Sequence, residues 1–167
     1  MRVLLIYILL VAATVSWSQH SLLIGYWKLQ QVQINDQLVF ESNDSTVLLK
    51  SLYANESDQK AVLTKSDSLR VEERSAMLFP VMAMTFIEFQ KNNHLRYGIM
   101  EEYPEGVIHK IYDGSYEIDG DKYRITLFIK NGAIPTVDGH FTVTDNTLII
   151  YQTGWENSYN RYVRASR

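Results

Sequence analysis

Apolar and polar residues alternate with a period of two along most of this chain, in short runs separated by turn-forming clusters. That is the pattern of strands that bury one face. The first run spans 22–34, with Trp27 and Leu29, and less regularly Val32 and Ile34, on the apolar side. Asn35 and Asp36 supply turn chemistry, so 37–41 is expected to return antiparallel. From 42 to 82 the alternation is lost, glycine is absent and apolar residues clump among Ser, Asp, Glu and Lys. This segment is expected to be a helical insertion after the first hairpin. Its best helix covers 68–79, where Leu69, Glu72, Glu73, Ala76 and Phe79 recur at helical spacings and Pro80 is expected to stop it. Residues 45–63, with Leu48, Leu52 and Tyr53, hint at a second, shorter helix.

The period of two then returns. Strands are expected at 84–90 and 94–100, joined by Lys91, Asn92 and Asn93, with Leu95, Tyr97 and Ile99 sharing one face. A loop at 101–106 precedes 107–112, and Asp113 and Gly114 read as a break before 115–118. The tight turn at 119–121 leads into 122–130, where Tyr123, Ile125, Leu127 and Ile129 share a face. Asn131 and Gly132 open the next connection, Phe141 and Val143 mark another strand, and 148–152 and 159–163 complete the set. Eight or nine strands joined by short connections form an up-and-down antiparallel meander. Closing it into a barrel removes the exposed edges, whereas an open sandwich leaves them. The expected class is therefore mainly β, a barrel of eight or nine strands.

The first 18 residues differ from everything after them. Arg2 precedes an apolar stretch running to Val15, and Ser16-Trp17-Ser18 places small side chains at the positions a signal peptidase accepts. A secretory leader cleaved between Ser18 and Gln19 is expected, leaving 19–167 as one domain, periplasmic or secreted. The apolar stretch is shorter than the ~20 residues that span a bilayer, so no stable membrane insertion is expected after cleavage. The whole chain carries a net charge of −3, and losing Arg2 with the leader makes it one unit more negative. Such a balance disfavours nucleic acid as a partner, because phosphate neutralisation needs clustered Lys and Arg. With no cysteine in the chain, stability in an oxidising compartment must come from apolar burial rather than disulfides.

Gly25-Tyr26-Trp27, at the head of the first strand of such a meander, resembles the G-x-W signature of lipocalins and the wider calycin group. The phrase Leu23-Ile24-Gly25-Tyr26-Trp27-Lys28-Leu29 is similar to bacterial, exported lipocalin-like domains. The resemblance implies that Trp27 packs across the closed end of the barrel beneath an arginine from the last strand, either Arg161 or Arg164. Thr144-Asp145-Asn146 stands where lipocalins carry T-D-Y, with Asn146 in place of the tyrosine. The insertion at 42–82 also departs from the lipocalin pattern, in which a helix follows the last strand.

For chemistry, the chain lacks G-x-S-x-G, H-E-x-x-H, G-x-G-x-x-G and the P-loop pattern. Its histidines, His20, His94, His109 and His140, are well separated, and His94 and His140 share the parity of the outward face, so no metal site or other cofactor is expected. Glu101, Glu102 and Glu105 read as a solvated loop, and Glu88 interrupts an apolar run with its direction open. Tyrosines crowd the strands: Tyr97, Tyr112, Tyr116, Tyr123, Tyr151, Tyr159 and Tyr162. Such rings either line a ligand cavity or simply fill the barrel. The leading reading is a non-catalytic binding protein for a small hydrophobic or amphipathic molecule, lined by Leu95, Tyr97, Ile99, Tyr123, Ile125 and Leu127. The alternative is an interaction module with a filled core, docking on another exported protein or a glycan through a loop aromatic such as Trp155. A calycin-type isomerase or hydrolase is a third reading that no motif supports.

Overall fold

In the computed structural model, strand β1 (Gly25–Ile34) is the seam on which the architecture depends. Along one edge it pairs with the last strand, β9 (Tyr159–Arg164), from Trp27 opposite Arg164 to Gln33 opposite Tyr159. Its other edge is shared. Residues 25–28 pair with β3 (Phe86–Phe89), and residues 31–34 with β2 (Gln37–Glu41). Strands β4 (His94–Tyr103), β5 (Gly106–Asp119), β6 (Lys122–Leu127), β7 (Thr136–Val143) and β8 (Thr147–Gln152) continue from β3 to β9 with every neighbour antiparallel. Eight strands thus close into a barrel, and β2 is a ninth attached to its seam. The structure describes residues 21–60, 62–104, 106–129 and 136–166. The leader with its cleavage site, and the turn at Asn131 and Gly132, lie outside the described residues.

Between β2 and β3 the insertion forms two helices, α1 (Ser45–Gln59) and α2 (Lys65–Ala83). Each begins on a side-chain cap. Asp44 accepts from the Thr46 amide, and Thr64 and Asp67 form a reciprocal capping box. Pro80 does not stop α2, which runs on to Ala83. An interior proline costs a helix about 3 kcal/mol, but Phe79, Met82 and Ala83 pack against the core and hold the last turn in place.

Three other expectations are corrected. Asp113 and Gly114 are not a break, because β5 runs unbroken for 14 residues. A Cβ on Gly114 would stand 2.4 Å from the Thr126 carbonyl oxygen, so glycine permits close approach of β6 there rather than a turn. Glu101 and Glu102 are not in a loop but in β4, opposite Ile108 and Val107, and Tyr103 pairs with Gly106. The strand expected at 122–130 ends at Leu127. The turn at Asn35 and Asp36 is as expected, with φ of 49° and 64°, the left-handed pair of a two-residue hairpin.

Inward-facing side chains fill much of the barrel. Trp27, Ile87, Leu95, Tyr116 and Leu148 are almost wholly buried, and Leu29, Phe89, Ile125, Leu127 and Phe141 belong to the same cluster. Glycines make room for aromatics on both faces of the wall. Phe86 and His109 crowd the outer face at Gly98, and the Tyr123 ring fits inside against Gly139.

Candidate functional site

At one end of β1 and β9 the barrel is sealed. The Trp27 indole Nε1 donates to the Leu23 carbonyl (2.7 Å), and the Arg164 guanidinium lies 4.2 Å from the centroid of the indole ring. Arg164 also donates to the carbonyls of Asp145 (2.6 Å), Ile24 (3.0 Å) and Leu22. One side chain thereby ties the entering chain, the β7–β8 turn and the last strand together over an aromatic floor. Arg161 lies elsewhere, with Nη1 donating to the Gln31 side-chain oxygen (3.4 Å). Closure of eight antiparallel strands in sequence order, sealed by this Trp–Arg stack, decides the fold. The barrel is lipocalin-like.

The opposite end of this lipocalin-like barrel is not filled. A cavity of about 440 Å³ lies between β1, β4, β8 and β9, bounded by Met82 and Thr85 at the end of α2 and by Trp155 and Ser158 of the β8–β9 loop. Its apolar lining includes Leu29, Val32, Ile34, Ile99 and Ile150, and its polar lining includes Gln33, Gln152, Asn160 and the tyrosines Tyr97, Tyr159 and Tyr162. That volume falls within the range of small-molecule sites. Two larger depressions are lined largely by charged groups: one of about 640 Å³ along β5, β6 and β7, where Arg124 and Asp138 stand beside Tyr123 and Gly139, and one of about 860 Å³ against the two helices, with Arg70 and Glu56.

Deep in the cavity wall the Tyr97 and Tyr162 hydroxyls lie 3.5 Å apart. Burial pushes both phenols above the ordinary tyrosine range, so both stay protonated and neutral. Tyr123 is raised chiefly by burial as well, with smaller contributions from Tyr97 and Asp138.

Of the residues expected to line a ligand site, Tyr97 and Ile99 do line the cavity. Leu95, Ile125 and Leu127 also sit inside the barrel but do not border the cavity, and neither does Tyr123, which is buried beside Gly139. Sequence parity could find inward positions, yet not which stretch of each strand borders empty space. That is why parity does not single out Leu29, Ile150 and Asn160, and why Tyr162 stands only among the strand tyrosines that could line a cavity or fill the barrel. Trp155 is 53% exposed and stands at the cavity rim. Glu88 is buried on β3 with Arg96 Nη1 3.6 Å away, so it has a cationic neighbour in the wall.

Above the cavity the β4–β5 hairpin outruns its neighbours, since β3 reaches only to Gly98 on β4 and β6 only to Gly114 on β5. On this overhang Glu101 binds the Lys110 ammonium (2.7 Å) and accepts from the Tyr103 and Tyr112 hydroxyls. Lys110 and the two phenols hold the Glu101 carboxyl down at about 2, and Glu101 in turn raises Lys110. From α2, Arg74 braces the same hairpin at Glu102 (3.0 Å). His94 and His140 are exposed, and His140 stacks on Tyr151 with centroids 4.5 Å apart. Among the described residues no three His, Asp or Glu side chains converge as a metal site, and no helix is long and apolar enough to cross a membrane.

Three solved structures resemble this one. They are an uncharacterized protein from Bacteroides eggerthii (14% identity, 86% of this chain and 99% of the other, TM-score 0.44), a DUF4847 family protein from Bacteroides vulgatus (13%, 87% and 96%, 0.47) and a lipocalin-like protein from Bacteroides uniformis (13%, 86% and 99%, 0.43). No family model and no curated protein matches the sequence. Identities this low say nothing about a ligand or an activity.

Proposed function

We propose that this is an exported, non-catalytic binding protein that holds one small apolar or amphipathic molecule in the open end of its barrel. The observation that carries the reading is the cavity of about 440 Å³ at the unsealed end, walled by aliphatic side chains and bordered by Tyr97, Tyr159, Tyr162 and Trp155. Aromatic bodies supply contact area, while their polar tips orient an occupant. The leader reading adds that the protein works after cleavage at Ser18, as a free domain in the periplasm or beyond. An intact mass of the exported protein beginning at Gln19 supports that address, and a mass retaining residues 1–18 contradicts it.

The binding reading is tested with Nile red, a neutral dye that brightens in apolar sites, titrated into the unmodified protein and into Ile99→Trp, whose larger ring occupies the cavity. Saturable brightening with one site, lost in the variant, supports the reading. Equal response of both proteins, or none in the unmodified one, refutes it.

A second reading, docking on an exported protein or a glycan, is favoured by a separate observation. Ile108 and Ile111 on the overhanging hairpin are about half exposed, as is Trp155 at the rim. Pull-down from host extract that is abolished by Trp155→Ala, with thermal stability unchanged, is what that reading requires.

A further inference from the structure

We infer that the cavity selects an uncharged ligand and seats its hydroxyl or carbonyl group on the paired phenols of Tyr97 and Tyr162. The inference rests on the cavity being a ligand site, and it goes further by naming the group recognised and the class turned away.

The lining is polar in places, yet none of the described residues that line it carries a charge. The nearest charges are not part of that lining. Arg164 caps the opposite end on Trp27, Lys110 is held by Glu101 and Tyr103 on the hairpin, and Arg161, whose Nη1 reaches Gln31 and whose Nε is buried without a partner, does not border the cavity. A buried carboxylate or ammonium therefore meets no counter-charge in the cavity, and desolvating an unpaired ion is far more costly than desolvating a hydroxyl.

The phenol pair supplies the positive half of the selection. Its mutual hydrogen bond is at the outer limit of length (3.5 Å), and the Asn160 side chain is a further partner of Tyr162. Two phenols bring two donors and four lone pairs, so a weak mutual bond leaves most of that capacity unspent. An oxygen about 2.8 Å from each hydroxyl bridges the pair, a ligand hydroxyl as donor and acceptor and a carbonyl as acceptor from both phenols. Both rings are set by strand register, Tyr97 opposite Ile87 and Tyr162 opposite Leu29 and Leu148, so the pair is preorganised. The volume, at roughly 30 Å³ per small group, suits a chain of about a dozen carbons.

The test is displacement of Nile red from the unmodified mature protein by decan-1-ol and by sodium decanoate at pH 8, repeated with Tyr97→Phe and Tyr162→Phe. Decan-1-ol is expected to compete at least tenfold more strongly than decanoate, and each variant to lose several-fold of the alcohol's affinity while decanoate is unchanged. Decanoate competing as well as the alcohol in the unmodified protein overturns the inference while leaving the cavity reading intact. That comparison stands whether or not a variant folds. Failure of Nile red itself to bind removes the cavity reading, and the inference with it.

Discussion

Arg164 and Gly139 show how single residues carry this barrel. Arg164 stacks on Trp27 and donates to three carbonyls at the sealed end. Arg164→Ala is predicted to cost about 1–3 kcal/mol, read as a lower thermal midpoint. Arg164→Lys restores only part of the loss, because an ammonium cannot stack and fork as a guanidinium does. If alanine and lysine variants melt with the unmodified protein, the cap is not a stabilising element. At Gly139 a Cβ would stand 2.0 Å from the Tyr151 carbonyl oxygen and 2.7 Å from the Tyr123 hydroxyl. Gly139→Ala is therefore predicted to destabilise by about 3 kcal/mol or more, and a denaturation midpoint within error of the parent contradicts that packing. The sequence could offer both Arg161 and Arg164 as partners of Trp27. The choice depends on register between the first and last strands, which no local pattern encodes.

Among the elements, the overhanging β4–β5 hairpin was the least legible. Glu101 and Glu102 look like a solvated loop in sequence, but pairing with Ile108 and Val107 extends the strand beneath them. Gly114 looks like a turn residue and is instead a point of close approach. In both cases tertiary pairing overrides local propensity. Pro80 lies inside α2 for a similar reason, since core contacts of the last turn outweigh the proline's preference to end a helix. The strands with clean alternation, such as β6 and β8, were readable because their period alone determines which face is buried. The hairpin also carries a pH signature. The Glu101 carboxyl is held at about 2 when folded, below the ~4.3 of an unfolded glutamate. Its stabilisation is therefore complete above about pH 4.3 and is lost as pH falls through about 2. Urea midpoints measured across that window are predicted to fall more steeply in the unmodified protein than in Glu101→Gln. Parallel curves contradict the network.

For the molecule as a whole, closure depends on β1 pairing with β9 while sharing its other edge between β2 and β3. The alternation and short connections made an eight- or nine-stranded meander legible, with the helical insertion placed after the first hairpin. What sequence could not reveal was how the interior is divided between packed and empty volume. That division is set by which inward side chains are large at each level of the barrel, and it is the basis for reading the protein as a carrier. Native mass spectrometry of the protein purified from its own host tests this most directly, beside Ile99→Trp prepared identically. One bound small-molecule mass on the unmodified protein, absent from the variant, is the predicted result. A bare polypeptide mass for both proteins would contradict the account.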